Sequence, residues 1–247
     1  MTWSFDRKLR ACIDAPLGPS ASPPDMRVVA RDGWFQRITP SAAGSWQNEV
    51  LVSSVDERDA ERVIEETIAT YRALGKPTKW STGPWTKPDD FGERLARRGF
   101  SSWATRGMGI ATDAPIAPSE ARVTRVEDDP TEYVRASARA WSVEKDDVQR
   151  RAFVSALGKE LVAFLADDGA GAVLLREDYG YLVGAAVHES ARGRGVYRAL
   201  VAARLAYLRD RGIEYAVTHA REETSAPILE HLGFETLFRG RCYLLEV

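Results

Sequence analysis

A glycine- and arginine-rich loop between a strand and a helix constrains the fold of this chain most. Residues 183–212 read VGAAVHESARGRGVYRALVAARLAYLRDRG. The apolar start predicts a strand that ends near Val187, and apolar residues at helical spacing predict a helix over residues 197–211. The sequence RGRG at residues 192–195 lies between them. A strand, a tight loop and a helix in succession are typical of an α/β layer architecture.

The same loop is a candidate anion-binding site. Glycines let successive backbone N–H groups crowd round an anion, and a helix N-terminus adds unpaired N–H donors and a favourable dipole. The GxxxxGK[ST] pattern of nucleotide-binding loops is missing, and a GxGxxG pattern fails because Arg198 stands at its sixth position. A glycine-rich turn with solvated arginines is the alternative that these residues leave open.

Charge and composition exclude several classes of protein. The 247 residues carry 34 Lys and Arg against 36 Asp and Glu, so a clustered basic surface for nucleic acid or anionic membrane is not expected. No run of 18 apolar residues occurs, and MTWSFDRKLR lacks the apolar core of a signal peptide. Cys12, Cys242 and the three histidines show no metal-ligand spacing. We therefore expect a cytoplasmic protein without a structural metal, a nucleic-acid partner or a membrane anchor.

The chain reads as two halves joined by a proline-containing linker at residues 113–120. The residue pattern of each half predicts a strand, a helix, a strand, a short helix and a terminal strand, in that order. Both short helices end in a Gly-Phe pair, and the glycines, Gly99 and Gly233, lie 134 residues apart. This repetition favours an internal duplication with units at 1–115 and 120–247. A chance likeness of two α/β units is the alternative.

The first half lacks an anion loop. Four carboxylates stand at its equivalent strand–helix junction and would repel an anion: Asp56, Glu57, Asp59 and Glu61. We therefore expect the first half to act as a scaffold. It also holds six of the seven tryptophans, which either pack in its core or form an apolar wall of a pocket between the halves: Trp3, Trp34, Trp46, Trp80, Trp85 and Trp103.

The loop resembles motif A of the GNAT superfamily of N-acetyltransferases, which is [QR]xxGx[GA] between a strand and a helix. Arg192 and Gly195 match this pattern, whereas Tyr197 stands where a glycine or an alanine is usual. The order of predicted strands and helices over residues 120–247 also agrees with this family, and the two-half plan is similar to that of its tandem members.

Thirty residues further on, EETSAPILEHLGFE resembles motif B of the same family, N-x-x-A-x-x-x-Y-x-x-x-G-F. Gly233 and Phe234 match it. Glu222, Ser225 and Leu229 replace its asparagine, alanine and tyrosine, respectively.

The resemblance implies an α/β (α+β) fold of two GNAT-like lobes, each a mixed sheet flanked by helices. It implies a complete C-terminal lobe and a degenerate N-terminal one. The expected activity is transfer of an acetyl group from acetyl-CoA to a primary amine of a small molecule or a peptide. Backbone groups would hold the pyrophosphate at the loop and the pantetheine arm along the preceding strand. The implied cofactor-binding residues are Ala185, Ala186, Val187, Arg192, Gly193, Arg194, Gly195, Val196, Tyr197 and Arg198.

Catalysis needs a substitute for the motif B tyrosine, because Leu229 cannot protonate a thiolate. Tyr181 is one candidate acid or water-holding residue, since it lies on the strand before the loop. His219 is a candidate base with an ordinary pKa near neutrality. Glu222 is a candidate proton acceptor or cofactor ligand. The alternatives are a half-buried strand tyrosine, a surface or supporting histidine, and a carboxylate that caps the helix near Ser225.

Two further functions stay open at this point. The missing tyrosine is consistent with an acyl-CoA-binding sensor that has no turnover, and the acyl group could be longer than acetyl. The sequence does not distinguish a monomer from a homodimer.

Overall fold

The computed structural model describes residues 3–45, 47–141 and 147–246, and its strands form one mixed sheet. The strands are β1 (Arg27–Arg31), β2 (Trp34–Ile38), β3 (Glu49–Ser53), β4 (Thr78–Thr82), β5 (Ser101–Ala111), β6 (Val123–Arg125), β7 (Leu161–Ala166), β8 (Gly169–Leu175), β9 (Gly180–Val187), β10 (Tyr215–Arg221) and β11 (Glu235–Leu245). The helices are α1 (Phe5–Asp14), α2 (Glu57–Ala73), α3 (Phe91–Arg97), α4 (Thr131–Trp141), α5 (Asp147–Ala156), α6 (Val196–Asp210) and α7 (Ser225–His231). The predicted α/β fold with two similar halves is confirmed.

The two halves exchange their last strands. The sheet order is β1-β2-β3-β4-β11-β5-β10-β9-β8-β7-β6, so β11 lies beside β4 and β5 lies beside β10. Both strands are antiparallel to these neighbours and to each other. The repeated order of elements predicts neither exchange. Each half therefore depends on a strand from the other half to continue its sheet.

Helices cover the sheet on two faces. On the front face, α6 and α7 pack against one apolar cluster and α2 and α3 against another, which includes Trp80 and Tyr243. On the back face, α4 and α5 cover the C-terminal half, and α1 packs over the centre of the sheet against Tyr215 and Phe238. Of the tryptophans, Trp3, Trp34 and Trp80 are buried, and Trp46 lies outside the described residues.

The apolar stripe of α2 shows why these helices form where they do. Its buried side chains recur at helical spacing: Ala60, Val63, Ile64, Thr67, Ile68 and Tyr71. Burying a large apolar side chain contributes roughly 1.5–3 kcal/mol, which exceeds what helix propensity alone supplies. Gly75 follows the helix with a φ of 62°, as the sequence predicts for a C-terminal cap. Among the helices of the described residues, none has both the length and the apolar character needed to cross a membrane.

Candidate functional site

A cleft opens where β9 and β10 diverge. The two parallel strands pair only at Gly180–Ala216 and Tyr181–Val217. Beyond this point the Thr218 hydroxyl donates to the Leu182 carbonyl at 2.8 Å, and the strands separate. Gly184, with a φ of 61°, lies at an irregularity in the pairing of β9 with β8. The edge of β9 that faces β10, including residues 185–187, is therefore left without a strand partner in the described chain.

The loop after β9 turns its backbone outward. A short 3-10 turn over Glu189–Ala191 is followed by Gly193 and Gly195, whose φ values of 75° and 78° favour glycine. α6 begins at Val196. Within the part of the chain that the structure describes, the N–H groups of residues 193–197 donate to no acceptor. Free N–H groups at the start of a fifteen-residue helix form a cradle for an anion.

Three contacts fix this loop in place. The guanidinium of Arg192 donates from Nε to the Val187 carbonyl at 3.3 Å. Ser190 Oγ donates to Asp168 in the β7–β8 turn at 3.4 Å, and Asp168 also binds Arg139 of α4 at 2.7 Å. Ser119 Oγ donates to the Gly195 carbonyl at 3.0 Å. Ser119 lies in the predicted linker, where no local pattern indicates a contact with the loop.

Tyr197, which departs from the motif A pattern, packs into the protein. Its ring lies against the front-face apolar cluster of α6 and α7, and burial raises the pKa of its hydroxyl. The ring therefore does not fill the space in front of the loop. The next residue, Arg198, has a buried Nε without a hydrogen-bond partner in the described chain.

Tyr181 and His219 form a pair at the inner end of the cleft. The Tyr181 hydroxyl lies 3.1 Å from His219 Nδ1, and the rings meet edge to face. Burial raises the pKa of Tyr181, and the nearby Cys12 and Glu49 raise it further. Burial and the charge of Lys79 lower the pKa of His219 to about 4. Both side chains are therefore neutral at pH 7, whereas the sequence alone predicts a histidine that titrates near neutrality.

We expect the proton resonance of His219 to titrate near pH 4 in the folded protein. The NMR signal is assigned by its loss in His219→Gln. The pKa of an unperturbed histidine is 6.5, so the unfolded chain takes up this proton at a higher pH than the folded protein does. The free energy of unfolding therefore decreases as the pH falls from about 6.5 to about 4. A midpoint close to 6.5 would contradict the buried, neutral pair.

Glu222 lies apart from this pair, in an ion-pair network. Its carboxylate accepts hydrogen bonds from Arg106 at 2.6 and 2.7 Å and from Arg239 at 2.7 and 2.8 Å. These hydrogen bonds, first that of Arg106, lower the pKa of Glu222 to about 2. This arrangement favours a role in fixing β5, β11 and the start of α7 over one in accepting a proton. Leu229 of α7 is buried in the apolar cluster.

The equivalent cleft in the N-terminal half is filled by the chain itself. β3 and β4 pair in parallel only at Glu49–Lys79 and Val50–Trp80, and then diverge. Lys87 lies in the gap: its N–H donates to Ser53 at 3.1 Å, and its carbonyl accepts from Val55 at 3.2 Å.

Acidic side chains replace the anion cradle at the start of α2. Glu57 and Glu61 at this helix end bind Arg94 of α3, and Glu61 also binds Arg98. The helix end is therefore already neutralised by protein groups. This geometry favours one open cleft, in the C-terminal half.

The β9–β10 cleft, the glycine loop and the start of α6 all lie within residues 118–234. Residues 118–234 match the family model described as the acetyltransferase (GNAT) family. This segment, a little under half of the chain, is the part that matches a GNAT domain, which is a domain of acyltransferases. No curated protein matches the chain.

Solved structures of similar fold extend the likeness over both halves. A functionally unknown protein from Staphylococcus epidermidis has a TM-score of 0.70 at 11% identity, covering 90% of this chain and 94% of its own. A GCN5-related N-acetyltransferase from Kribbella flavida has a TM-score of 0.67 at 14% identity, covering 96% and 94%. A tandem GNAT protein from the clavulanic acid biosynthesis pathway has a TM-score of 0.58 at 16% identity, covering 98% and 95%. At these identities, the likeness shows the fold.

Proposed function

We propose that the C-terminal half binds acetyl-CoA and transfers its acetyl group to the primary amine of a small molecule or a peptide. The observation that carries the proposal is the continuity of the β9–β10 cleft with the free N–H groups of residues 193–197. An extended chain carrying a pyrophosphate fits both features at once. The strand edge at 185–187 offers hydrogen bonds to an amide-containing arm, and the helix start offers N–H donors to an anion.

The residues around the loop fit this ligand. Gly193 has open space where a side chain would begin, with no atom within 4 Å. Arg192, Arg194 and Arg198 add positive charge near the loop, whereas the corresponding end of α2 carries carboxylates. We assign the pyrophosphate to residues 193–197 and the pantetheine arm to residues 185–187.

Tyr181 and His219 are assigned to proton transfer. Bound acetyl-CoA would supply an activated thioester carbonyl. The neutral amine forms the C–N bond as the C–S bond breaks, so the amine nitrogen loses one proton and the sulfur gains one. Tyr181, which is protonated at pH 7, gives its hydroxyl proton to the leaving sulfur. The proton from the amine returns to the Tyr181 oxygen through His219, whose low pKa makes a charged ring short-lived.

Calorimetric titration with coenzyme A tests the binding half of this proposal. We expect one molecule per chain, because the N-terminal cleft is filled by Lys87 and its helix end by Glu57 and Arg94. A stoichiometry of two would contradict the assignment.

Thiol release from acetyl-CoA, measured over a panel of primary amines, tests the catalytic half. We expect release that depends on the amine. Tight binding of acetyl-CoA without thiol release for any amine would instead favour a sensor without turnover. Faster thiol release from longer acyl-CoA molecules would indicate that one of these is the donor.

A further inference from the structure

Both halves contribute titratable residues to a partly buried group on the back face, which we call the interlobe cluster: Arg37, Glu49, Lys79, Arg176, Tyr181 and His219. The 3-10 turn at Ala15–Leu17 connects its two sides. Arg37 of β2 donates to the carbonyls of Pro16 and Gly18 at 2.5 and 3.2 Å. Arg176, which follows β8, donates to the carbonyl of Ala15 at 2.7 and 3.2 Å.

The proposed catalytic pair belongs to the same cluster. The charges of Glu49, Arg37 and Arg176 all act on the pKa of Tyr181, after burial and Cys12, and Lys79 and Glu49 act on that of His219. Ring contacts also connect the N-terminal half with His219. The ring centroids of Trp85 and Phe238 are 5.1 Å apart, and those of Phe238 and His219 are 5.6 Å apart. Charges in the N-terminal half are thus close to the proposed site of proton transfer.

Positive charge exceeds negative charge in this cluster. Glu49 is 4% exposed and pairs with Lys79 at 2.5 Å and with Arg37 at 3.5 Å. Burial alone would raise the pKa of Glu49, but these two cations hold it below its usual value. Among the described residues Arg176 has no ion pair within 4.0 Å; burial lowers its pKa, and the charge of Glu160 opposes this from farther away. Within the cluster, three cations therefore face one carboxylate, that of Glu49. The backbone carbonyls that accept from Arg37 and Arg176 satisfy hydrogen bonds but carry no net charge to offset these cations.

Two buried donors on the N-terminal side also lack acceptors among the described residues. Arg37 is 6% exposed and its Nε–H is unpaired, and so is the indole N–H of Trp85. Buried polar groups are nearly always paired, by protein, water or ligand. Both groups are donors. Glu49 Oε2 also lacks a hydrogen bond, but it lies 2.5 Å from Lys79 Nζ in an ion pair, so the partner that is missing is an acceptor. An anion supplies both the missing acceptor and the missing negative charge.

We propose that the acceptor is an amine that also carries a carboxylate, as an amino acid does, and that the interlobe cluster binds this carboxylate between Arg37 and Arg176. This inference rests on the proposed function and names its substrate class. The amine end then points toward Tyr181 and His219, where the acyl carbon is delivered. The N-terminal half thereby supplies part of the acceptor site.

Matched pairs of acceptors test the inference. Thiol release from acetyl-CoA is measured with each common α-amino acid and with its primary amide, which keeps the amine and removes the negative charge. We expect kcat/KM for at least one acid to exceed that of its amide by tenfold or more. In Arg176→Gln, which keeps an N–H donor for the Ala15 carbonyl, we expect this preference to fall by about tenfold.

Arg211→Gln is the control, because it removes one guanidinium from an exposed position after α6 and should leave the preference unchanged. Circular dichroism checks that each variant is folded. Equal rates for acids and amides, turnover of other neutral amines alone, or an unchanged preference in Arg176→Gln would overturn the inference while the proposed function stands. No release with any amine would remove the proposed function, and this inference with it.

Discussion

Gly193→Glu is expected to weaken coenzyme A binding by at least tenfold, equivalent to about 1.4 kcal/mol or more. The new carboxylate would stand among the N–H groups that we assign to the pyrophosphate, and like charges repel strongly where water is partly excluded. Calorimetry of the folded variant gives the affinity. Gly193 is a cleaner position for this test than Gly195, where a side chain would meet Ser119 Oγ at 2.7 Å.

Gly212→Glu is the matched control for this change. Gly212 has a φ of 74°, nearly that of Gly193, and likewise has no atom within 4 Å of an added Cβ. Both variants therefore introduce the same side chain into the same strained backbone conformation, which costs roughly 1–2 kcal/mol. We expect both variants to lose a similar amount of thermal stability. Only Gly193→Glu should also lose affinity for coenzyme A. An unchanged affinity in Gly193→Glu would defeat the assignment of the loop.

Tyr181→Phe is expected to lower kcat by roughly tenfold or more, because it removes the hydroxyl that we assign to protonation of the leaving sulfur. The ring and its contact with His219 are preserved, so KM for acetyl-CoA should change little. Steady-state kinetics over pH 5–9 separates the two constants. The loss should be smaller with acyl donors whose thiol is a weaker base, since these need less help from an acid.

Tyr179→Phe is the matched control for Tyr181→Phe. Tyr179 lies two residues away, and its hydroxyl also has a raised pKa, near 12, mainly through burial. Its ring contacts Trp3 instead of His219. If the parent and Tyr181→Phe have equal kcat values, Tyr181 does not have the proposed role in proton transfer. If Tyr179→Phe lowers kcat as much as Tyr181→Phe does, the loss reflects a general packing effect.

The exchange of β5 and β11 explains how a half without an anion loop can still shape the site. β5 lies between β10 and β11 and holds Arg106, which binds Glu222 and Glu230 beside α7. Phe238 of β11 packs against His219 from the side of the N-terminal half. A substitution in either terminal strand therefore affects both halves, and we expect the chain to unfold as one cooperative unit.

Local patterns in the sequence determined the individual elements and the glycine-rich loop between β9 and α6. The apolar stripe of α2 and the RGRG loop each depend on residues within a few positions of one another. Backbone geometry and side-chain spacing act at that range, so periodicity and turn residues are sufficient. The repeated order of elements predicted an α/β fold with two similar halves, and the resemblance to two family motifs predicted the GNAT match of residues 118–234.

Only the tertiary structure decided the strand exchange, the filled N-terminal cleft and the electrostatics of the pair. Antiparallel pairing of β5 with either neighbour satisfies the same backbone hydrogen bonds, so the local sequence does not choose between partners. The pKa of His219 depends on burial and on Lys79, which is 140 positions away in the chain. Arg37 and Arg176, which are far apart in the sequence, both contact residues 15–18. Long-range packing sets the distances between such charges and their exposure to water, and no local sequence pattern encodes it.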